Sequence, residues 1–308
     1  MRKLAITTAA ALTALAAFCA HGAWVYEGEF ILEIVTGLAV APNDNVYAVQ
    51  WWGEGQSGYV FYFTPTGSIL NNWWVDEREP AVIAVAPNTN VYVGYSEGVV
   101  YYTGGGGYLG KWRCSPQYNS PVFGVAVAAN GNVYASDPVR DKIHYFTATG
   151  SKLGEWGGQG SGNGEFNSPS GVAVAPNTNV YVADHDNHRI QYFTSVGSFL
   201  GKWGSRGTGD GQLRGPSGVA APPDGYVYVA DTWNNRIQYF TPSGSFLGKF
   251  GKYGTGKGTF YHPEGLDLSN CSRRLYVADA GNNLIQYFRW TETAVAPASL
   301  GRVKALFR

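Results

Sequence analysis

Cysteine and charge are scarce in this chain, and it has no apolar run long enough to cross a bilayer. Three cysteines stand at 19, 114 and 271, so far apart that no zinc site can be read from their spacing. Only 14% of the residues are charged, 22 basic against 22 acidic for a net charge of +0. A chain with no excess of cations offers nucleic acid or an anionic surface nothing to hold. The most extended apolar stretch, Leu4 to Phe18, is 15 residues, short of the roughly 20 that a spanning helix requires.

Aromatic residues, by contrast, make up 15% of the chain and glycines number 42, a combination suited to packed strands separated by tight turns. Between Gly37 and Phe288 one motif occurs six times. Its clearest copies are SPSGVAVAPNTNVYVADHDNHRIQYFTSVGSFLGKWG from Ser168 and GPSGVAAPPDGYVYVADTWNNRIQYFTPSGSFLGKFG from Gly215. Anchored on Tyr47, Tyr92, Tyr134, Tyr181, Tyr228 and Tyr276, the copies are spaced 45, 42, 47, 47 and 48 residues apart. That period, with several short strands per unit, predicts propeller blades.

In the fourth copy, GVAVA (171–175) is apolar without alternation, as an inner strand covered on both faces should be. The PNTN turn follows; VYVAD (180–184) and RIQYFT (189–194) are the second and third strands, and FLGKW (199–203) is an amphipathic outer strand. Gly-rich crossovers such as GGQGSGNGEF lack the lysine and following helix of a phosphate loop and read as turns between blades. The sixth copy ends at IQYFRW (285–290) without an outer strand, and YEGEFILEI (26–34) supplies one upstream. An open ring would leave two long edges exposed. The expected fold is therefore all-β: a six-bladed propeller of four-stranded antiparallel blades, closed by an N-terminal strand that completes the last blade.

VYVADHDNHRIQYF, VYVADTWNNRIQYF and LYVADAGNNLIQYF, together with the PSGVA openings and the Gly-rich crossovers, resemble the NHL-repeat family of β-propellers. The resemblance covers essentially residues 23–290 and implies the same fold. Related propellers include binding scaffolds and metal-dependent lyases and lactonases.

The flanks differ in kind. Arg2 and Lys3, the apolar run, and small residues at Ala20 and Gly22 have the layout of a secretory signal peptide spanning 1–22. Phe18 stands where a lipoprotein signal carries a small residue, which argues against lipidation at Cys19. Without residues 1–22 the chain has 20 basic and 22 acidic residues, about −2. The protein is accordingly expected to be secreted, periplasmic or at the cell surface. Cys114 and Cys271 fall on opposite faces of the propeller, so no bridge is expected. In the tail, 291–308, Leu300, Val303, Leu306 and Phe307 recur at near-helical spacing among Arg302, Lys304 and Arg308. It is a candidate for docking or self-association.

Residues present in every copy build blades; those that differ are candidates for function. Asp137 with Lys142, Asp184 with Arg189, and Asp231 with Arg236 are expected as structural ion pairs bracing a hairpin. Blades one and two depart most from the pattern. Trp51, Trp52, Glu54, Tyr95, Asp76, Glu77 and Glu79 are predicted to gather on one loop face as an aromatic and acidic binding patch. At the channel mouth, the position after each Pro reads Thr36, Ala81, Val122, Ser170, Ser217 and Glu264, with too few oxygens for calcium. The best metal trio is His185, His262 and Glu264. No serine has an identifiable neighbouring base. The leading expectation is a non-catalytic binding scaffold for a protein, peptide or glycan, with no cofactor, no nucleic acid and no membrane span. An extracellular metal-dependent lyase or hydrolase, and a subunit of a surface assembly, are the alternatives.

Overall fold

Val, Tyr and Ala crowd the second strand of each copy, and such strands are stable only when both faces are covered. A computed structural model of the chain describes residues 22–32, 35–51, 56–115, 120–269 and 273–292 and shows how they are covered. Among these residues there are six four-stranded antiparallel sheets. Five are consecutive in sequence, at 35–75, 82–113, 125–157, 169–203 and 216–250. The sixth joins Pro263–Leu268, Arg274–Asp279 and Leu284–Glu292 to Gly22–Ile31. Cys271 and residues 293–308 of the tail lie outside the described residues. Cys114 is a buried free thiol.

The core is divided into clusters, each between two adjacent blades. Between blades three and four, Ala126, Tyr134 and Ile143 meet Phe166, Val172 and Val182; blades six and one meet in the same way through Leu38, Ala48, Tyr276 and Ile285. Hence the sequence repeats: each blade must be apolar on both faces to bury its neighbours.

In five of the six copies the buried tyrosine fastens its blade to another. The Tyr47 hydroxyl donates to the Gly104 carbonyl at 3.0 Å. Tyr92 donates to Ala148 at 3.1 Å, Tyr134 to Ser195 at 3.0 Å, Tyr181 to Pro242 at 3.1 Å and Tyr276 to Pro65 at 2.8 Å. Each acceptor lies in the next blade's hairpin between third and fourth strands. Blade six has no such hairpin, because its fourth strand comes from the other end of the chain. Tyr228, facing that gap, donates instead to Asp224 of its own blade at 2.7 Å. Replacing Tyr181 with Phe removes one partly buried hydrogen bond and should cost about 1 kcal/mol. Equilibrium urea unfolding should show a lower midpoint at unchanged slope.

The hairpins that receive these tyrosines turn on glycine, and Gly197 shows why. Its φ is +88°, and a Cβ there would press into the Trp156 ring on the preceding blade's outer strand. Phe30 of the closing strand holds the corresponding place beneath Gly67. Register confirms the equivalence: Phe30 pairs with Ile285 as Trp203 pairs with Ile190, and Gly28 lies opposite Tyr287 as Gly201 lies opposite Tyr192.

Candidate functional site: the crossover face and the channel mouth

Inner strands have one unpaired edge each, and six such edges enclose a channel of about 840 Å³ lined by all six blades. The size falls within the range of small-molecule sites. Its mouth opens on the face that carries the crossovers and the loops between second and third strands. Strand register places Thr36, Ala81, Phe123, Ser170, Ser217 and Glu264 at one level there. Blade three departs from the sequence expectation. Val125 pairs with Ala135 as Val172 pairs with Val182, so Phe123, one residue further from Pro121, takes the ring position. Val122 turns into the core between blades two and three. Phe123 stays 48% exposed in the channel wall.

Around the mouth the loops are held by buried carboxylates. Asp184 accepts from Arg189 Nε at 2.6 Å, the Asn167 backbone N–H at 2.8 Å, Asn187 at 3.0 Å and Gln191 at 3.1 Å. The Arg189 fork continues to the carbonyls of Ser161, Gly162 and Glu165 in the crossover. Asp231 and Arg236 repeat the arrangement, with Nε donating at 2.7 Å. In blade three Lys142 lies across from Asp137 in register, but its ammonium goes to Glu155. Asp137 is met by Arg140 at 3.3 Å and His144 at 3.2 Å. These groups organise backbone, and His188 joins them. Its Nδ1 accepts the Gly215 N–H at 3.1 Å, and burial, with the charges of Arg206 and His185, lowers its pKa and keeps the ring neutral.

The residues of the predicted patch are dispersed. Tyr95 is 4% exposed and packs in the core between blades one and two. Glu77 pairs with Lys111 at 2.7 Å on the outer strand side, and Asp76 is exposed nearby. Trp51 and Glu79 both line the channel. Trp52 and Glu54 lie outside the described residues.

His185 lines the mouth, shares a 2.7 Å hydrogen bond with Asp186 and stands edge-on to Trp233 at 4.9 Å. His262 is exposed and lies against Tyr261 at 4.6 Å, outside the channel lining. Glu264 lines the channel, where burial raises its pKa to about 7. Among the described residues no three His, Cys, Asp or Glu side chains are grouped as a metal ion requires.

A different cluster emerges on blades four to six. Trp233 is 41% exposed, Tyr253 69% and Tyr261 39%. Contacts link them: His185 to Trp233, the Asn235 side chain to the His262 N–H at 2.9 Å, His262 to Tyr261, and Tyr261 to Tyr253 at 5.6 Å. The signal was in the copies. Trp233 stands where blade four has Asp186 and blade six Gly281, and Tyr261 where those before it have Asn167 and Arg214.

Two stretches, 166–193 and 213–240, match the NHL repeat family. These are the central parts of blades four and five, with the carboxylate hubs inside them. The chain is a six-bladed β-propeller that carries NHL repeats. No curated protein matches it by sequence. Among solved structures it is similar to a catalytically inactive virginiamycin B lyase from Staphylococcus aureus with quinupristin. That likeness has 16% identity, covers 87% of this chain and 89% of that one, and gives a TM-score of 0.60. A Bacteroides thetaiotaomicron protein of unknown function gives 15%, 87%, 72% and 0.67 in the same terms. An auxiliary nutrient binding protein from Bacteroides ovatus gives 15%, 87%, 73% and 0.64. At such identities the likeness is one of fold. A propeller that shares its frame with both a lyase and binding proteins must have its function argued from its own side chains.

Proposed function

We propose that this NHL propeller is an exported, non-catalytic binding protein that takes an extended peptide or glycan on its crossover face, across blades four to six. The observation that carries the reading is the crescent of Trp233, Tyr253 and Tyr261, solvent-exposed yet held in mutual ring contacts with His185 and His262. Aromatic rings with polar neighbours are the usual anchors of recognition surfaces. These are pre-organised: Trp233 follows Asp231 by two residues, and its backbone N–H donates to the Arg214 carbonyl at 3.0 Å. A surface fixed before the ligand arrives spends less ordering entropy on binding.

Export is supported by the layout of residues 1–22, and no helix among the described residues is long and apolar enough to cross a membrane. The similar fold of auxiliary nutrient binding proteins is in keeping with a binding role.

The test is to probe residues 23–308 against peptide and glycan arrays, then compare Trp233→Ala and Tyr261→Ala on the hits. Each exposed ring should remove at least about tenfold in affinity while circular dichroism and melting stay as in the parent. Hits bound equally well by both variants would place recognition elsewhere.

A further inference from the structure

We propose that the central channel binds a small organic cation, an amine attached to an apolar group, with Glu264 as its counter-ion. The site is separate from the crescent and stands on different residues, His185 alone touching both.

Glu264 accepts no hydrogen bond and forms no ion pair among the described residues, although it lines the channel. Its counterparts in the other blades are hydroxyl or apolar residues, so no copy-to-copy structural role explains it. The other ionisable groups in the channel lining are Glu79, His185 and Asp267. Asp267 already has partners, accepting the Val40 N–H and its neighbour Leu268 N–H, both at 2.8 Å. His185 is engaged by Asp186 at 2.7 Å. A half-buried carboxylate without partners carries a desolvation cost that a proton or a counter-charge relieves.

The surroundings specify that counter-charge. The Thr36 hydroxyl gives its proton to the Ala81 carbonyl at 2.6 Å, and Ser170 gives its own to the Ser217 carbonyl at 2.9 Å. With their protons committed between blades, these oxygens can offer the channel only lone pairs. At this level Thr36 and Ser170 thus accept and do not donate, which suits an ammonium. Blade three stands opposite blade six in a ring of six, and there Phe123 projects its 48% exposed ring into the channel. One half of the level is anionic and accepting, the other apolar. A calcium ion needs six to eight oxygens and magnesium an octahedral set; one carboxylate facing a phenyl ring provides neither. An amine with an apolar body matches both halves.

Burial holds Glu264 near pKa 7. It is therefore mostly neutral at pH 6 and mostly ionised at pH 8, and an ammonium binds the ionised form.

Phenethylamine and its uncharged counterpart 2-phenylethanol are suitable probes, titrated calorimetrically into residues 23–308. At pH 8 the amine should bind one-to-one and at least about tenfold more tightly than the alcohol. Its affinity should fall about tenfold at pH 6 as the carboxylate takes a proton. Glu264→Gln, which removes a buried charge and keeps the shape, should abolish the amine's advantage and its pH dependence. Phe123→Ala should weaken amine and alcohol alike. Equal binding of the two probes at pH 8, no saturable amine binding, or an advantage retained in Glu264→Gln would overturn the proposal. Displacement of the amine by micromolar magnesium or calcium would do so as well, pointing to a divalent site.

Discussion

Replacing Phe30 with alanine is expected to destabilise the propeller by about 3–5 kcal/mol, the range for removing a buried phenyl ring. Phe30 packs against Phe63 at 4.8 Å and Tyr287 at 6.3 Å. It belongs to the cluster that joins the last blade to the first. Loss of this ring therefore acts on the one boundary that holds the circle shut. Phe30→Trp should retain most of the stability, because Trp73, Trp112, Trp156 and Trp203 fill the equivalent places under Gly106, Gly150, Gly197 and Gly244. Deleting residues 22–31 should have a larger effect than either. It leaves Leu284–Glu292 as an open edge beside exposed apolar surface, and concentration-dependent aggregation should follow. Urea unfolding and light scattering check the series. A Phe30→Ala protein within 1 kcal/mol of the parent would mean that closure does not depend on this contact.

The second large effect is expected at the buried hubs, and it should be unequal between partners. Asp231→Leu leaves the Arg236 guanidinium buried without its carboxylate and deprives Asn234, Gln238 and the Arg214 N–H of an acceptor. Breaking a buried pair from that side should cost about 3–5 kcal/mol. Arg236→Leu should cost less, about 1–3 kcal/mol for the carbonyls of Thr208, Gly209 and Gln212 that lose their donor. The chain already contains this variant in another blade. Leu284 occupies the arginine position of blade six, and Asp279 persists there with the Tyr261 N–H, Asn282 and Gln286 as donors. Burial raises the pKa of that carboxyl, and these three donors oppose the rise. Equal losses from the two substitutions, measured by urea unfolding at neutral pH, would contradict this account.

Nearly all of the ring could be read from the chain because each blade repeats the same solution to the same burial problem. Closure was legible too: the trio Gly28, Glu29, Phe30 repeats the outer-strand trio Gly154, Glu155, Trp156, and the register makes them equivalent. What repetition hides is where a single insertion shifts the register. Pro121 and Gly124 are separated by one more residue than Pro169 and Gly171, so counting from the proline selected Val122, whereas the strand pairing selects Phe123. Exposure was harder still to read. Tyr95 is the last residue of a strand that is buried throughout, and its ring goes where that strand goes. Trp233, in a turn pinned by Asp231, meets His185 and His188 and is still left exposed. Aromatic character is the same in both; only the packing of adjacent blades separates them.

The pairing of Gly22 with Glu292 and of Ile31 with Leu284 also sets a timetable for synthesis. Blades one to five consist of contacts between residues close in sequence, and each can form as it leaves the ribosome. The closing strand is the earliest of the described segments to emerge, yet its partner is the last. Through the making of five blades it has nowhere to pair, so the circle can be completed only once residue 292 is available.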